Sequence, residues 1–322
     1  MKRFTFYIWI LLLSVIFSGC STPPKSEMQQ VTGIYFDTVV QIKVWGADEK
    51  ILTHCQDMCR YYENLFSRTV SDSDVSRINA SAGNPVEVAD ETAELIQIGL
   101  DYGKLSQGKF DITIGAVNKL WKFQDNKEKV LPEPEKLKEA VTHVNYQNVK
   151  VDGNIVTLSD PQAEIDLGGI AKGYIADRLK EYLQDAGIQH ALINLGGNVL
   201  ALGGHYDGTP FEIGIQKPFD KTNSVLTYLN ITEESVVSSG NYVRYFEKDG
   251  RIYHHILDPH TGYPYENTLL QVTIITERSV DADALSTTCY ALGLEEGMQF
   301  IENFENTKAI FVTDDGQLHY SK

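Results

Sequence analysis

Eight residues, DLGGIAKG from Asp166 to Gly173, constrain this chain more than any others. Ala163, Ile165 and Leu167 alternate as a short strand does, and two adjacent glycines turn the chain. Ile170, Tyr174, Ile175, Leu179 and Leu183 then recur at helical spacing. The segment therefore reads strand, glycine elbow, amphipathic helix. Glycine has no Cβ, so such an elbow lets a ligand approach bare backbone. The free N–H groups of the first helical turn, with Lys172 beside them, favour an anion such as a phosphate. The same residues also suit a plain connection whose glycines only relieve crowding.

The charge balance narrows the choice of ligand. With 44 acidic against 28 basic side chains the formal charge is −16, and removing Lys2 and Arg3 with a leader takes it to −18. That argues against nucleic acid as a partner. A chain this acidic that handles a polyphosphate needs a local positive charge, for which a divalent metal is the obvious source.

The first twenty residues run from a basic start (Lys2, Arg3) through an apolar stretch, Phe4 to Phe17, to Ser18-Gly19-Cys20. This is the pattern of a secretory signal, and small residues ending at a cysteine resemble a bacterial lipobox. An uncleaved anchor helix would need about 20 apolar residues, more than this run supplies. The expected organisation is a lipoprotein signal at 1–19, lipidation of Cys20, a polar tether over 20–30 containing Pro23-Pro24, and one domain over 31–322. Lipidation would hold that domain on the outer, extracytoplasmic face of the bacterial cytoplasmic membrane. Cys55 and Cys59 lie one helical turn apart, a poor disulfide geometry, and with Cys289 they read as buried small residues.

Further along, Thr38 to Gly46 alternates as a strand, and helices are expected from about Asp48 to Phe66 and from Asp90, as N-cap, to near Gly108. Asp74 to Asn79 reads as a short helical turn, Gln124 to Pro134 as an exposed excursion, and Asp152-Gly153 as a hairpin turn. Strands follow at Ala191–Asn194, Phe211–Ile215, Val225–Ile231 and Thr268–Thr276, and Ser235 to Asp258 folds back through Asp249-Gly250. Helices at Val280–Leu292 and Glu295–Phe304 and a turn at Asp314-Asp315-Gly316 complete the chain. Strands pairing mainly with sequence neighbours predict an α+β fold of mainly antiparallel sheets with packed helices, as a single compact domain.

Two clusters can carry chemistry. Asp283 and Thr287, four apart on one helix face, offer a carboxylate and a hydroxyl to a hard cation such as Mg²⁺. An acid suiting the helix dipole and a Thr bonded back to its helix would look the same. His255, Asp258, Pro259, Thr261 and Gly262 place an imidazole near an acid and a rigid turn, which serves either a general base or a structural histidine.

In order, FDT (36–38), FS (66–67) with SRIN (76–79), FDIT (110–113), DLGGIAKGYIAD (166–177), INLGGN (193–198), SSGNY (238–242), HILDPHTGYP (255–264) and DADALST (281–287) resemble the ApbE flavin transferases across nearly all of the chain after the leader. Phe36-Asp37, Asn241 and His260 depart from that family's usual residues. The resemblance implies a T-fold-like domain and an enzyme that joins FMN from FAD to a Thr or Ser hydroxyl of another protein, requires Mg²⁺ and releases AMP. It carries metal ligation to Asp283, Thr287 and the carbonyl near Ala171. It also implies that Phe36, Thr38, Phe110, Asp111, Asp166, Gly169, Lys172, Ser239, Gly240 and His255 surround the flavin nucleotide. His255 is the expected base, Asp258 orients it or holds the turn, and Lys172 offsets phosphoryl charge. The acceptor would be an extracytoplasmic flavoprotein or a subunit of a membrane redox complex. Two other readings use the same residues: a Mg²⁺-dependent FAD diphosphatase giving FMN and AMP, and a non-catalytic flavin-binding lipoprotein.

Overall fold

Eight strands follow one another across a single antiparallel sheet in chain order, so each pairs with the strand before and after it in the series. They are β1 (Met28–Tyr35), β2 (Thr38–Trp45), β3 (Ala191–Leu195), β4 (Asn198–Leu202), β5 (Ser235–Gly240), β6 (Leu269–Thr276), β7 (Lys308–Thr313) and β8 (Leu318–Tyr320). The computed structural model describes residues 27–123, 128–220, 222 and 224–322. Long insertions separate β2 from β3 and β5 from β6, and these carry most of the functional residues.

The period of two in the strands puts alternate side chains on opposite faces. Ile42, Ile193, Leu200, Val237 and Ile274 enter the main core, whereas Leu192, Ala201, Val236 and Ile275 face a second cluster. The first face is covered by α1 (Glu49–Phe66), α6 (Ala171–Asp185) and α7 (Ser279–Leu292). A hairpin of Phe211–Gln216 and Val225–Ile231 covers the second cluster with Phe211, Ile215 and Ile231. Both faces are therefore dry, which explains why the middle strands read as apolar runs as much as alternations.

The insertion after β2 also holds α2 (Asp74–Asn79), α3 (Asp90–Leu105), α4 (Gly115–Trp121) and α5 (Pro134–Val141), with a small sheet of Val86–Glu87, Ile155–Leu158 and Val149–Asp152. Its α4 and α5 pack against the hairpin Tyr245–Lys248/Arg251–His254 around Trp121, Leu137, Phe246 and Tyr253. The buried Trp121 indole N–H donates to Gly262 O at 2.8 Å, tying this satellite to the Asp258–Gly262 turn. After α7, α8 (Leu294–Ile301) leads into β7.

Neither α6 nor α7 has a side-chain cap of its own: Ile170 and Arg278 stand at the cap positions. Each helix is capped by the other. Asp177 of α6 accepts the Ser279 and Val280 N–H groups at 2.8 and 2.9 Å. Asp283 of α7 accepts the Gly173 N–H at 3.0 Å. The two carboxylates satisfy donors that a helix start leaves unpaired and meet the positive end of each dipole. Gly173 is required at this crossing, because a Cβ there would lie 2.3 Å from Ser279 O.

Three local expectations change. A strand, β1, precedes Thr38; its residues MQQVTGIY show no apolar alternation because, at the sheet edge, only Tyr35 among them is buried. The tether expected to end at Gln30 therefore ends earlier, since β1 begins at Met28. Asp90 is the first residue of α3, not its cap, and Ala89 at the cap position makes no side-chain bond. The leader, Cys20 and part of the Gln124–Pro134 excursion lie outside the described residues. No helix among the described residues is long and apolar enough to cross a membrane. Cys55, Cys59 and Cys289 are free and buried as expected.

Two predictions follow from the buried polar groups. Asp177→Ala removes two helix-start acceptors at once and should lower the unfolding free energy by about 1–3 kcal/mol, read by urea or thermal unfolding. His254, buried, has its Nε2 on Tyr265 O and its Nδ1 toward the Ile256 N–H, an arrangement that suits only the neutral ring. Burial pushes its pKa down to about 4. The unfolded chain therefore binds this proton first, and stability is lost as pH falls below about 6.5. The stability gap between wild type and His254→Gln should close by about 2 kcal/mol between pH 7 and pH 4.5.

Candidate active site

The elbow is anchored before it can present anything. Asn79, at the end of α2, grips the backbone of Ile165 from both sides: its Nδ2 donates to Ile165 O at 2.9 Å and its Oδ1 accepts Ile165 N–H at 2.7 Å. The Asp166 N–H donates to Ile112 O at 2.7 Å. The Asp166 carboxylate then takes the Gly168 N–H at 2.9 Å, the Asn118 amide at 2.6 Å and the Arg68 Nε at 3.1 Å. Three separate segments thus hold the start of the turn.

Past it, Gly169 lies between Phe110 and Thr287. A Cβ on Gly169 would sit 3.0 Å from the Phe110 ring and 3.9 Å from Thr287 Oγ1. Thr287 is reached at 3.2 Å by Ser239 Oγ, which also bonds Ser286 Oγ at 2.8 Å. Asp283, one turn earlier, is 4% exposed, takes the Gly173 N–H, and stands 3.6 Å from Lys172 Nζ. Lys172 also reaches Gly168 O at 3.4 Å. Burial raises the Asp283 pKa, while Lys172, the Gly173 N–H and the Asn198 amide oppose the rise. The elbow and the late helix therefore meet, bringing Gly169, Lys172, Gly173, Ser239, Asp283 and Thr287 together, with Ala171 between Gly169 and Gly173 in the chain.

This neighbourhood is walled by buried residues yet open. Along α7, only Asp281, Thr287 and Leu292 are not buried, and Ala171, Lys172 and Ser239 are likewise half-buried. Asp281 is occupied by the Tyr102 hydroxyl at 2.9 Å and by Arg278. A carboxylate and a hydroxyl, with one ammonium nearby, are oxygen donors of the kind that suit a hard divalent cation. Among the described residues no cluster of three or more His, Cys, Asp or Glu competes with it.

The remaining expected residues divide. His255 is half-buried, and its Nδ1 lies 3.3 Å from Arg244 O. A carbonyl only accepts, so Nδ1 carries the hydrogen and Nε2 is left to take a proton. Desolvation, the Arg244 guanidinium, His254 and Lys172 together hold its pKa far below the ordinary imidazole value. Asp258 does not orient it. Its Oδ1 takes the His260 N–H at 2.9 Å and its Oδ2 the Thr261 hydroxyl at 3.2 Å, so of the two roles considered the carboxylate performs the turn-holding one.

Asp111 is also engaged internally, by the Thr113 N–H and hydroxyl at 2.8 and 2.6 Å and the Tyr146 N–H at 2.8 Å. Its carboxylate ties the loop after Phe110 to the Tyr146 backbone. Gly240 is buried, and a Cβ there would be 2.7 Å from Leu270 O, so its absence of side chain serves the sheet. Phe36 and Thr38 flank the β1–β2 turn, where Phe36 and Asp37 both adopt positive φ, 53° and 56°. Left-handed backbone at two successive non-glycine residues stores strain. The turn is pinned by the Phe36 N–H on Glu63 Oε1 at 2.7 Å and by Gly196, whose Cβ would strike Thr38 Oγ1 at 2.2 Å.

Sequence reasoning missed Asp177, Asn198, Arg68, Asn79 and Asn118. Asp177 and Asn198 close two of the motifs, and Asn79 closes SRIN, so their place at motif ends was the available signal. Arg68 and Asn118 had none, because their partner Asp166 is far away in the chain.

Known proteins resemble this chain over most of its length. The chain is 37% identical over 291 residues to an FAD:protein FMN transferase of Klebsiella pneumoniae (strain 342), spanning 89% of this chain and 90% of that protein. It is 34% identical over 295 residues to an FAD:protein FMN transferase of Treponema pallidum (strain Nichols), spanning 87% and 80%. Among solved structures, the flavin transferase ApbE from Vibrio cholerae superposes with a TM-score of 0.83 at 27% identity, covering 92% of this chain and 97% of that one. The ApbE protein from Thermotoga maritima gives 0.83 at 32% identity over the same shares. The ApbE family model matches residues 36–311, and the chain belongs to the ApbE family.

Proposed function

We propose that this protein is an FAD:protein FMN transferase that moves FMN from FAD to a Thr or Ser hydroxyl of an acceptor protein and releases AMP. The observation that carries the reading is the meeting of the glycine elbow with the Asp283/Thr287 face, supported by relatives of that name over most of the chain. Ala171 O, Asp283 and Thr287 would hold Mg²⁺, which supplies positive charge against the FAD diphosphate in an otherwise acidic protein.

The chain's own groups perform the rest. Lys172 and the N–H groups at the start of α6 offset charge on the transferring phosphoryl. The acceptor hydroxyl oxygen forms a bond to the phosphorus on the FMN side as the diphosphate P–O bond to AMP breaks. The hydroxyl proton goes to His255 Nε2, and AMP departs with the bridging oxygen. Little covalent work falls to the protein; it positions the reactants and stabilises charge. The leader and Cys20 would anchor the enzyme to the outer face of the cytoplasmic membrane, where extracytoplasmic flavoproteins or subunits of membrane redox complexes are its acceptors.

The deciding experiment combines FAD, Mg²⁺ and a co-expressed acceptor and reads the acceptor by mass spectrometry. An added FMN supports transfer, free FMN with no adduct supports the diphosphatase, and tight flavin binding without turnover supports a carrier. Asp283→Asn keeps an acceptor for the Gly173 N–H but removes the charge. It should lower transfer by more than about 100-fold with little change in melting temperature, because a bound cation supplies several kcal/mol of charge stabilisation. His255→Ala should cost about 10²–10⁴-fold in transfer with FAD affinity kept. Because His255 is held well below the ordinary imidazole pKa, it stays deprotonated as pH falls through 6.5. Single-turnover transfer at saturating FAD should then show no acid limb between pH 7 and pH 6; a half-loss near pH 6.5 would show that the His255 pKa is not held down in the working enzyme.

A further inference from the structure

The buried end of the β3–β4 turn contains a polar group that neither the fold nor the reaction described so far uses. Asn198 is 1% exposed, and its Oδ1 takes the Ser279 hydroxyl at 2.7 Å. Ser279 Oγ in turn receives Ser235 Oγ at 2.8 Å, and Ser235 Oγ also lies 3.1 Å from Val199 O. This relay fixes which way the amide faces: with Oδ1 on a hydroxyl donor, Nδ2 points away from Ser279. Nδ2 completes no well-formed hydrogen bond, though it lies close enough to the Asp283 carboxylate to favour its charged form. An orphaned buried N–H is costly, so a native protein that keeps one has a use for it.

Ser279 and Asp283 are four residues apart on α7 and so lie one above the other on the same face. The Asn198 amide, held against Ser279, is therefore set beside the Asp283 carboxylate, and it is among the groups that favour the charged form of Asp283. The contacts that tether Asp283, the Gly173 N–H and Lys172, both fall on Oδ2.

We propose that Asn198 is a positioning residue for the cation site: its amide steadies the Asp283 carboxylate on the helix face shared with Thr287, in an orientation set by Ser279 and Ser235. This rests on the cation reading given above. The partner of a metal-ligating side chain governs affinity through orientation, and its loss typically weakens binding about 10–100-fold. Asn198 does not touch the substrate in this account; it acts through Asp283.

The test titrates the full folded chain with Mn²⁺ alone and counts free Mn²⁺ by electron paramagnetic resonance, with melting temperature measured on the same samples. Wild type should bind one Mn²⁺ and Asp283→Ala should lose it. Asn198→Ala should bind about 10–100-fold more weakly with its melting temperature within a few degrees of wild type. Ser279→Ala keeps the amide but frees its orientation, and should weaken binding several-fold; it also carries the test if Asn198→Ala fails to fold. Wild-type Mn²⁺ affinity in Ser279→Ala and in any folded Asn198→Ala, whatever the melting temperature, would reduce Asn198 to a packing residue and overturn the proposal while leaving the cation site intact. A folded wild type that binds no Mn²⁺ would overturn the cation site itself, and the role of Asn198 with it.

Discussion

The crossing of α6 and α7 is the contact on which the site depends. Two helices from distant parts of the chain each start without a side-chain cap, and each receives a carboxylate from the other, Asp177 to Ser279 and Val280, Asp283 to Gly173. A helix start with unmet N–H groups is unstable in a dry core, so neither helix is satisfied until both are docked. The arrangement couples folding to site assembly, since Asp283 helps complete the start of α6 and stands beside Thr287 in the same act. Gly173 permits the close approach, which no residue with a Cβ could match without moving Ser279.

That coupling has an electrostatic cost the structure contains. Asp177 and Asp283 are buried carboxylates, and burial raises the pKa of both, that of Asp177 to about 6. Backbone N–H groups offset the penalty at Asp177, whereas Asp283 has Lys172 as well. An isolated ion pair in such a place is weak grounds for stability, because desolvation rivals the attraction. The Lys172–Asp283 pair places an ammonium against a buried carboxylate at the edge of the elbow, where it opposes the rise that burial imposes on the Asp283 pKa.

The part of this architecture legible in the sequence was the part written in local pattern. The glycine elbow, the helix after it, the Asp283/Thr287 face and most strands were readable from periodicity and turn residues. The series of motifs pointed to the family before any coordinates. What escaped shares one property, that its meaning lies in a partner far along the chain. β1 is polar and becomes a strand only because β2 offers an edge. Asn79 clamps Ile165, 86 residues away, and Asp177 caps a helix that starts 102 residues later. Asp258 binds its own turn, and Asp111 binds its own loop and the Tyr146 N–H 35 residues away. An acid next to a tight turn satisfies backbone donors more often than it meets a ligand.

The Phe36-Asp37 turn holds two side chains at positive φ on an edge hairpin, pinned from beneath by Glu63 and from the side by the Gly196 turn. Gly196 leads through Gly197 to Asn198, and Asn198 to Ser279 and the face bearing Asp283. The strained hairpin and the cation face are thus joined through one short β3–β4 turn. Backbone held in an unfavourable region persists only where its surroundings over-determine it. The turn cannot relax alone, because Thr38 packs on Gly196 and any motion would have to pass through the β3–β4 turn. The FDT and INLGGN motifs therefore meet in one rigid connection, Thr38 packed against Gly196, which is a physical reason for them to occur together in this chain.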